Sequence, residues 1–355
     1  MASEPIELVT CLARPHRLAD VDLETWDRLI PEARIAGLLP RLALLLQEHD
    51  LIGRVPPQAR THLTADLTVA EKHARDIRWE VGQIRNALQD VVARFILLKG
   101  AAYVLADLPP ARGRLFGDTD ILVPKESIGA VEAALARHGW AFGEIDPYDE
   151  RYYRRYTHQI PPMTHNVRRT TIDVHHTIVQ VTARVRLDPQ ALWTAARDVA
   201  DGVAVLAPAD MVLHSAVHLF NDGEFNRGLR DLNDITVLLH HFSTDSSFAA
   251  QLVERAVALD LVRPLYYALR YSHRLLRGPL SEEPLKGLAG APSPALLRLM
   301  DALFLRVLRS PHREFRPRGA GLAGFLLYAR AHHLRMPMHQ LVPHLLRKSY
   351  RREST

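Results

Sequence analysis

Apolar and polar positions change their period twice along this chain. Up to residue 92 the spacing is helical. Trp26 to Asp50 carries an amphipathic pattern that Val55-Pro56-Pro57 breaks, and His62 to Val91 continues as one long pattern rich in Ala, Glu, Arg and Leu. From Phe95 the apolar residues gather into short runs. Phe95-Ile96-Leu97-Leu98 predicts a buried strand that Lys99-Gly100 ends, with a helix over Ala101 to Asp107. Ile121-Leu122-Val123 predicts a second strand, followed by a helix from about Glu126 to His138. Thr170 to His176 alternates polar and apolar residues, as a half-buried strand does. Ala207-Pro208-Ala209-Asp210 starts a helix, and helical spacing then recurs at about 210–221, 229–242, 247–260, 263–277, 294–309, 320–333 and 338–349. Gly278 to Pro294 is a loop. The pattern predicts an α+β fold: N-terminal helices over 1–92, a small mixed-sheet core over 93–206, and a larger helical part over 207–355.

The chemistry concentrates at Gly117-Asp118-Thr119-Asp120, directly before the Ile121 run. In a strand, residues i and i+2 share a face, so Asp118 and Asp120 project side by side. Adjacent carboxylates repel unless a divalent cation, a shared proton or an arginine lies between them. Gly-Asp-Thr-Asp is also good turn chemistry. On the Thr170 strand, Asp173 and His175 point one way while Ile172 and Val174 point the other. If that strand lies beside the Asp118 strand, Asp173 becomes a third carboxylate of the cluster. Under strong repulsion, Asp120→Asn is expected to leave the fold intact. Upstream, strand, Lys99-Gly100 turn and helix start together suit an anion, because free backbone N–H groups and the helix dipole face it.

The ordered motifs resemble the DNA polymerase β-like nucleotidyltransferase superfamily. They are Leu97-Leu98-Lys99-Gly100-Ala101, the run Arg114 to Val123 with its Gly117-Asp118-Thr119-Asp120, and Ile172-Asp173-Val174-His175. More narrowly they are similar to an uncharacterised bacterial nucleotidyltransferase family. The resemblance covers about Phe95 to His176, and more loosely His218, Asp234 and the stretch Arg330 to Pro337. It implies that Asp118, Asp120 and Asp173 are catalytic and hold two magnesium ions, with manganese as a substitute. It also implies that Lys99, Gly100, Ala101, Arg114 and Gly117 surround the triphosphate of an NTP. Arg114 has a second reading, as a structural partner of the acids. Many superfamily members have Gly-Ser at the turn; Gly100-Ala101 offers no hydroxyl to a phosphate. The acceptor is left open among a small molecule, a protein and a tRNA end.

Other signals bound the picture. His214 and His218 stand at i, i+4 on a helix, a zinc-compatible spacing that lacks a neighbouring Glu or Cys; a buried histidine is the simpler reading. His158 precedes the Asp173 strand and is a candidate for the acceptor pocket, and His176 faces away from His175. One cysteine, Cys11, excludes an internal disulfide and fits a reducing cytoplasm. No run approaches the ~20 apolar residues a membrane span needs, and no leader is expected. Residues 306–355 hold eleven Lys/Arg against two acids, a net +9, which leaves the rest near −4 of the total +5. Such a region attracts RNA, acidic protein or anionic lipid, or simply solvates a helix surface. Asp-x-Asp also occurs in metal-dependent glycosyltransferases, but these do not require the Leu-Lys-Gly turn or a third acid. A catalytically retired interaction module is the non-enzyme alternative, and three crowded acids speak against it. The sequence assigns no base preference and no oligomeric state.

Overall fold

The computed structural model describes residues 7–335, except 20, 224, 311, 313 and 314 and the side chain of Asp149. The expected helix over 338–349 and five of the eleven C-terminal Lys/Arg lie outside the described residues. The N-terminal part begins with α1 (Leu8–Ala13), α2 (Leu23–Ile35), α3 (Leu39–Glu48) and α4 (Pro57–Leu88). The pattern from Trp26 to Asp50 is therefore two helices. Gly37 takes φ +68°, and Leu38 N–H turns back to the Ala33 carbonyl at 2.8 Å, which closes α2. Pro40 sits at the start of α3, where its missing N–H costs nothing.

The middle part supplies every strand found among the described residues. β1 (Phe95–Leu97) leads into α5 (Lys99–Leu105), β2 (Asp118–Leu122) into α6 (Ile128–Arg137), and β3 (Trp140–Phe142) into α7 (Pro147–Tyr156). β4 (Met163–His165) and β5 (Thr171–His175) follow, then α8 (Pro189–Ala195) and the hairpin β6 (Arg197–Ala200) and β7 (Val203–Val205). The sheet order is β3-β4-β5-β2-β1-β7-β6. β2 pairs in parallel with β5 and β1 in parallel with β7; the other pairs are antiparallel. The central strands carry almost only buried residues, as strands covered on both faces must.

The C-terminal part runs through α9 (Pro208–Asn221), α10 (Gly228–Phe242), α11 (Phe248–Ala258), α12 (Val262–Leu276), α13 (Pro294–Val307) and α14 (Ala320–Arg335). One continuous apolar cluster joins all three parts, from Leu8 and Trp26 through Ile96 and Val174 to Tyr267 and Phe304. Two polar anchors fix the elements that matter for the site. Buried Glu80 of α4 receives both Arg168 Nε and Nη2 at 3.0 Å and Thr170 Oγ1 at 2.8 Å, which pins the turn just before β5. Arg255 of α11 grips fully buried Asp210 of α9 through two bonds of 2.7 and 2.8 Å. Among the described residues no helix is long and apolar enough to cross a membrane.

Candidate active site

The site starts from strand register. β2 and β5 run parallel with Asp120 opposite Asp173 and Leu122 opposite His175. Parallel pairing at that register sets two carboxylates on neighbouring strands at one level. His175, two residues beyond Asp173, shares its face. Asp120, Asp173 and His175 each offer a ligand atom, all within 4.8 Å of one another, and they form the one such group of three found among the described residues. Asp118 stands outside this group. It begins β2 opposite Thr171, one two-residue step, or about 6–7 Å, below the level of Asp173, and its side chain is exposed. The acids expected to cluster thus comprise a buried Asp120 and a half-buried Asp173, with a histidine beside them and a third carboxylate at the rim. His214 and His218 find no third metal-ligating partner among the described residues.

Asp120 is the electrostatic centre. Its Oδ1 accepts from Lys99 Nζ at 3.0 Å and from His175 Nε2 at 3.0 Å. Burial alone pushes the Asp120 carboxyl up, but the Lys99 ammonium and the His175 bond outweigh it and hold the group well below the usual carboxylate range. For Lys99 burial is likewise opposed and overcome, so the ammonium is held above its ordinary value. Burial pushes His175 down, and this neutral imidazole donates its Nε2–H to Asp120; its Nδ1 is buried with no hydrogen-bond partner. Asp173 goes the other way. Burial first, then the Asp120 and Asp118 charges, push it up to about 7, and its Oδ1 is buried without a partner. One carboxylate is neutralised by the protein itself; the other is left wanting a proton or a cation.

The turn before α5 has its own logic. Leu98 is extended and its N–H bonds to the Asp120 carbonyl at 3.0 Å, which ties the turn to β2. Lys99 then adopts φ +45°, a left-handed conformation uncommon for a side chain of its size. At Gly100 an added Cβ would lie 2.9 Å from Phe116 Cδ1 and 3.2 Å from Arg114 Nε. Glycine is required there by the close approach of the Arg114–Phe116 loop. Arg114 forms an ion pair with Asp234 of α10 and lies over the rings of Tyr103 and Phe116, 5.7 Å from each centroid. Burial and neighbouring Arg230 lower it to about 10. This pair fastens the Gly100–Asp118 connection to the helical part.

A cavity of about 820 Å³ opens over the acids. Lys99, Asp118 and Asp173 line it, whereas Asp120 sits behind them. Gly100, Ala101, Arg114 and Gly117 do not reach its wall. A second hollow of about 920 Å³ lies beyond the C-terminal ends of β2 and β5, lined by Lys125, His176 and Trp193; none of the acids opens into it. A family described as an uncharacterised nucleotidyltransferase matches residues 22–277. The chain belongs to that nucleotidyltransferase family. Comparison with curated proteins and with solved structures yields no match.

The family match runs from the N-terminal cap of α2 to the end of α12, so it takes in the three acids, Lys99, His175, His218 and Asp234. It stops before α14. One wall of the cavity mixes residues inside and outside the family match: His218 and Asp222 come from the end of α9, and Tyr328, His332 and Arg335 from α14. Arg335 Nη2 holds Asp222 Oδ1 at 2.9 Å. His218 lies 3.9 Å from both Asp222 and Asp231. The third wall carries Phe142, Tyr152 and Tyr153 together with His158, whose imidazole burial and neighbouring His175 lower to about 3. Asp222, Tyr152 and Tyr153 are not anticipated above. Only the Arg330 to Pro337 stretch, described as far as Arg335, gave a sequence hint of the α14 wall.

Proposed function

We propose that the protein transfers an NMP from an NTP to a hydroxyl or phosphate oxygen of an acceptor in a magnesium-dependent reaction. The observation that carries this reading is the parallel register that sets Asp120 beside Asp173, with a buried, unpartnered Asp173 oxygen under a cavity that Lys99 also lines. The donor set fits a hard cation. His175 Nε2 is directed at Asp120, so the atoms available to a cation are carboxylate oxygens, which magnesium favours. Asp118, Asp120 and Asp173 would hold the magnesium, with manganese as a substitute; when bound it neutralises charge on the attacking and leaving oxygens.

The remaining chemistry belongs to the chain. The acceptor oxygen attacks the α-phosphorus in line, an O–P bond forms, the bond from the α-phosphorus to the bridging oxygen breaks, and pyrophosphate leaves. Asp173 faces the cavity and takes the acceptor proton. Lys99 is the cationic side chain within reach of the leaving phosphates, while Gly100, Ala101 and Gly117 shape the turn and strand entry that position it. Arg114 braces that assembly through Asp234. The tyrosine and histidine walls enclose base and acceptor; the acceptor class, whether small molecule, protein or tRNA end, is left to experiment.

The test is a thermal-shift titration with ATP, GTP, CTP and UTP, with and without magnesium, on wild type and Asp118→Asn. Asp118 is the exposed acid, so its substitution leaves the Asp120–Asp173 pair alone. Saturation near 100 Kd adds about 2.7 kcal/mol to stability. A magnesium-dependent shift with at least one NTP, reduced in the variant, is expected. Absence of a shift with every NTP refutes the proposal and favours a retired scaffold.

A further inference from the structure

The Lys99–Asp120 contact carries a consequence for how the site fills, and it rests on the transfer reaction proposed above. We infer that the Lys99 ammonium is the cluster's resident counter-cation. The nucleotide-free protein then takes up one divalent cation, and an incoming triphosphate draws Lys99 off Asp120 and opens the place of a second.

Three observations converge. Asp120 Oδ1 already accepts two donors, Lys99 Nζ and His175 Nε2, each at 3.0 Å. Oδ1 so engaged is closed to a metal ion until one donor leaves, which limits Asp120 to its other oxygen while Lys99 stays, and the imidazole, fully buried on β5, is the fixed donor. Charge gives the same result. Asp118, Asp120 and Asp173 would bring three negative charges and Lys99 one positive; the remainder equals the charge of one divalent cation. Geometry gives Lys99 somewhere to go. Its side chain is one-fifth exposed and lines the cavity, so a flexible four-carbon stem can carry the ammonium from Asp120 to a phosphate without moving the backbone. A triphosphate carries several negative charges and competes well for it. Backbone preference does not explain a lysine here. At φ +45° glycine is the relaxed choice, so what lysine adds is the ammonium.

The test counts manganese on the full-length protein by the EPR signal of free Mn²⁺, without nucleotide, for wild type, Lys99→Gln and Lys99→Gly. The glycine variant suits the left-handed backbone and keeps the test valid if Lys99→Gln folds poorly; circular dichroism checks both. One Mn²⁺ on wild type and two on a folded variant is the expected result. Two on wild type overturns this inference and leaves the transfer reaction standing. One on wild type and one on each folded variant also overturns it, because Lys99 then holds no cation's place. No manganese on any of the three also overturns the inference, and leaves the transfer reaction to the nucleotide titration described above. As a second readout, inorganic tripolyphosphate under chelating conditions is expected to stabilise wild type and to lose at least ten-fold in affinity with either variant. Unchanged affinity also overturns the inference.

Discussion

Replacing Asp173 with asparagine is expected to stabilise the protein above neutral pH while abolishing transfer. In the folded chain burial and the Asp120 and Asp118 charges keep this carboxyl protonated until about pH 7, against an ordinary 3.8 in the open chain. Between those values the folded state holds a proton that the unfolded state has lost. Stability therefore falls as pH rises through the window from about 4 to about 7, and levels off above it. At about 1.4 kcal/mol per pH unit the ceiling is about 4 kcal/mol; Asp173 borders an open cavity, and solvent screening there brings the expected effect to about 2–3 kcal/mol. Asparagine matches the shape and cannot ionise. Urea unfolding in chelator, followed by fluorescence and circular dichroism, should find Asp173→Asn more stable than wild type by that amount near pH 8. The difference should shrink towards zero near pH 4. Magnesium near pH 8 should stabilise wild type and do little for the variant. Equal or lower variant stability near pH 8 refutes the reasoning, because Asp173 would then be an ordinary solvated carboxylate.

Two further substitutions probe the same architecture. Asp120→Asn should destabilise by about 1–3 kcal/mol, since it takes the negative charge away from the Lys99 ammonium and leaves His175 a neutral amide acceptor; denaturant unfolding checks this, and a neutral result would restore the expectation that carboxylate repulsion dominates there. Gly100→Ala should cost about 1–3 kcal/mol and loosen the Arg114–Phe116 loop, because the new methyl would lie 2.9 Å from a ring carbon; a melting temperature equal to wild type would mean that the loop yields freely.

The correction at Asp120 shows what kind of knowledge a sequence lacks. Two carboxylates at i, i+2 repel on paper, and the expectation that Asp120→Asn leaves the fold intact follows from them alone. The structure puts a lysine from 21 residues upstream and a histidine from 55 residues downstream on the same oxygen, which reverses the sign of the expected effect. The β6–β7 hairpin was legible in principle: Asp201-Gly202 between short apolar runs is a hairpin signal, and Gly202 does take φ +65°. The break between α2 and α3 likewise had its marks in Gly37 and Pro40. The wall supplied by Asp222, Tyr152 and Tyr153 had none, since aromatic and acidic residues on a helix look alike in sequence whether they face a cavity or bulk solvent.

By itself the sequence determined the local elements and the inventory of chemistry. Helical and strand periods are written in nearest neighbours, and so are the Lys99-Gly100 turn, the Asp118-x-Asp120 pair and the Asp173-x-His175 step. Tertiary structure decided which of these meet. Parallel pairing of β2 with β5 brought Asp173 to Asp120 rather than to Asp118, and the Asp234 contact directed Arg114 to the helical part. Strand register and interhelical contacts are set by burial of the whole apolar cluster, a sum over residues far apart in the chain. No local run of amino acids contains that sum.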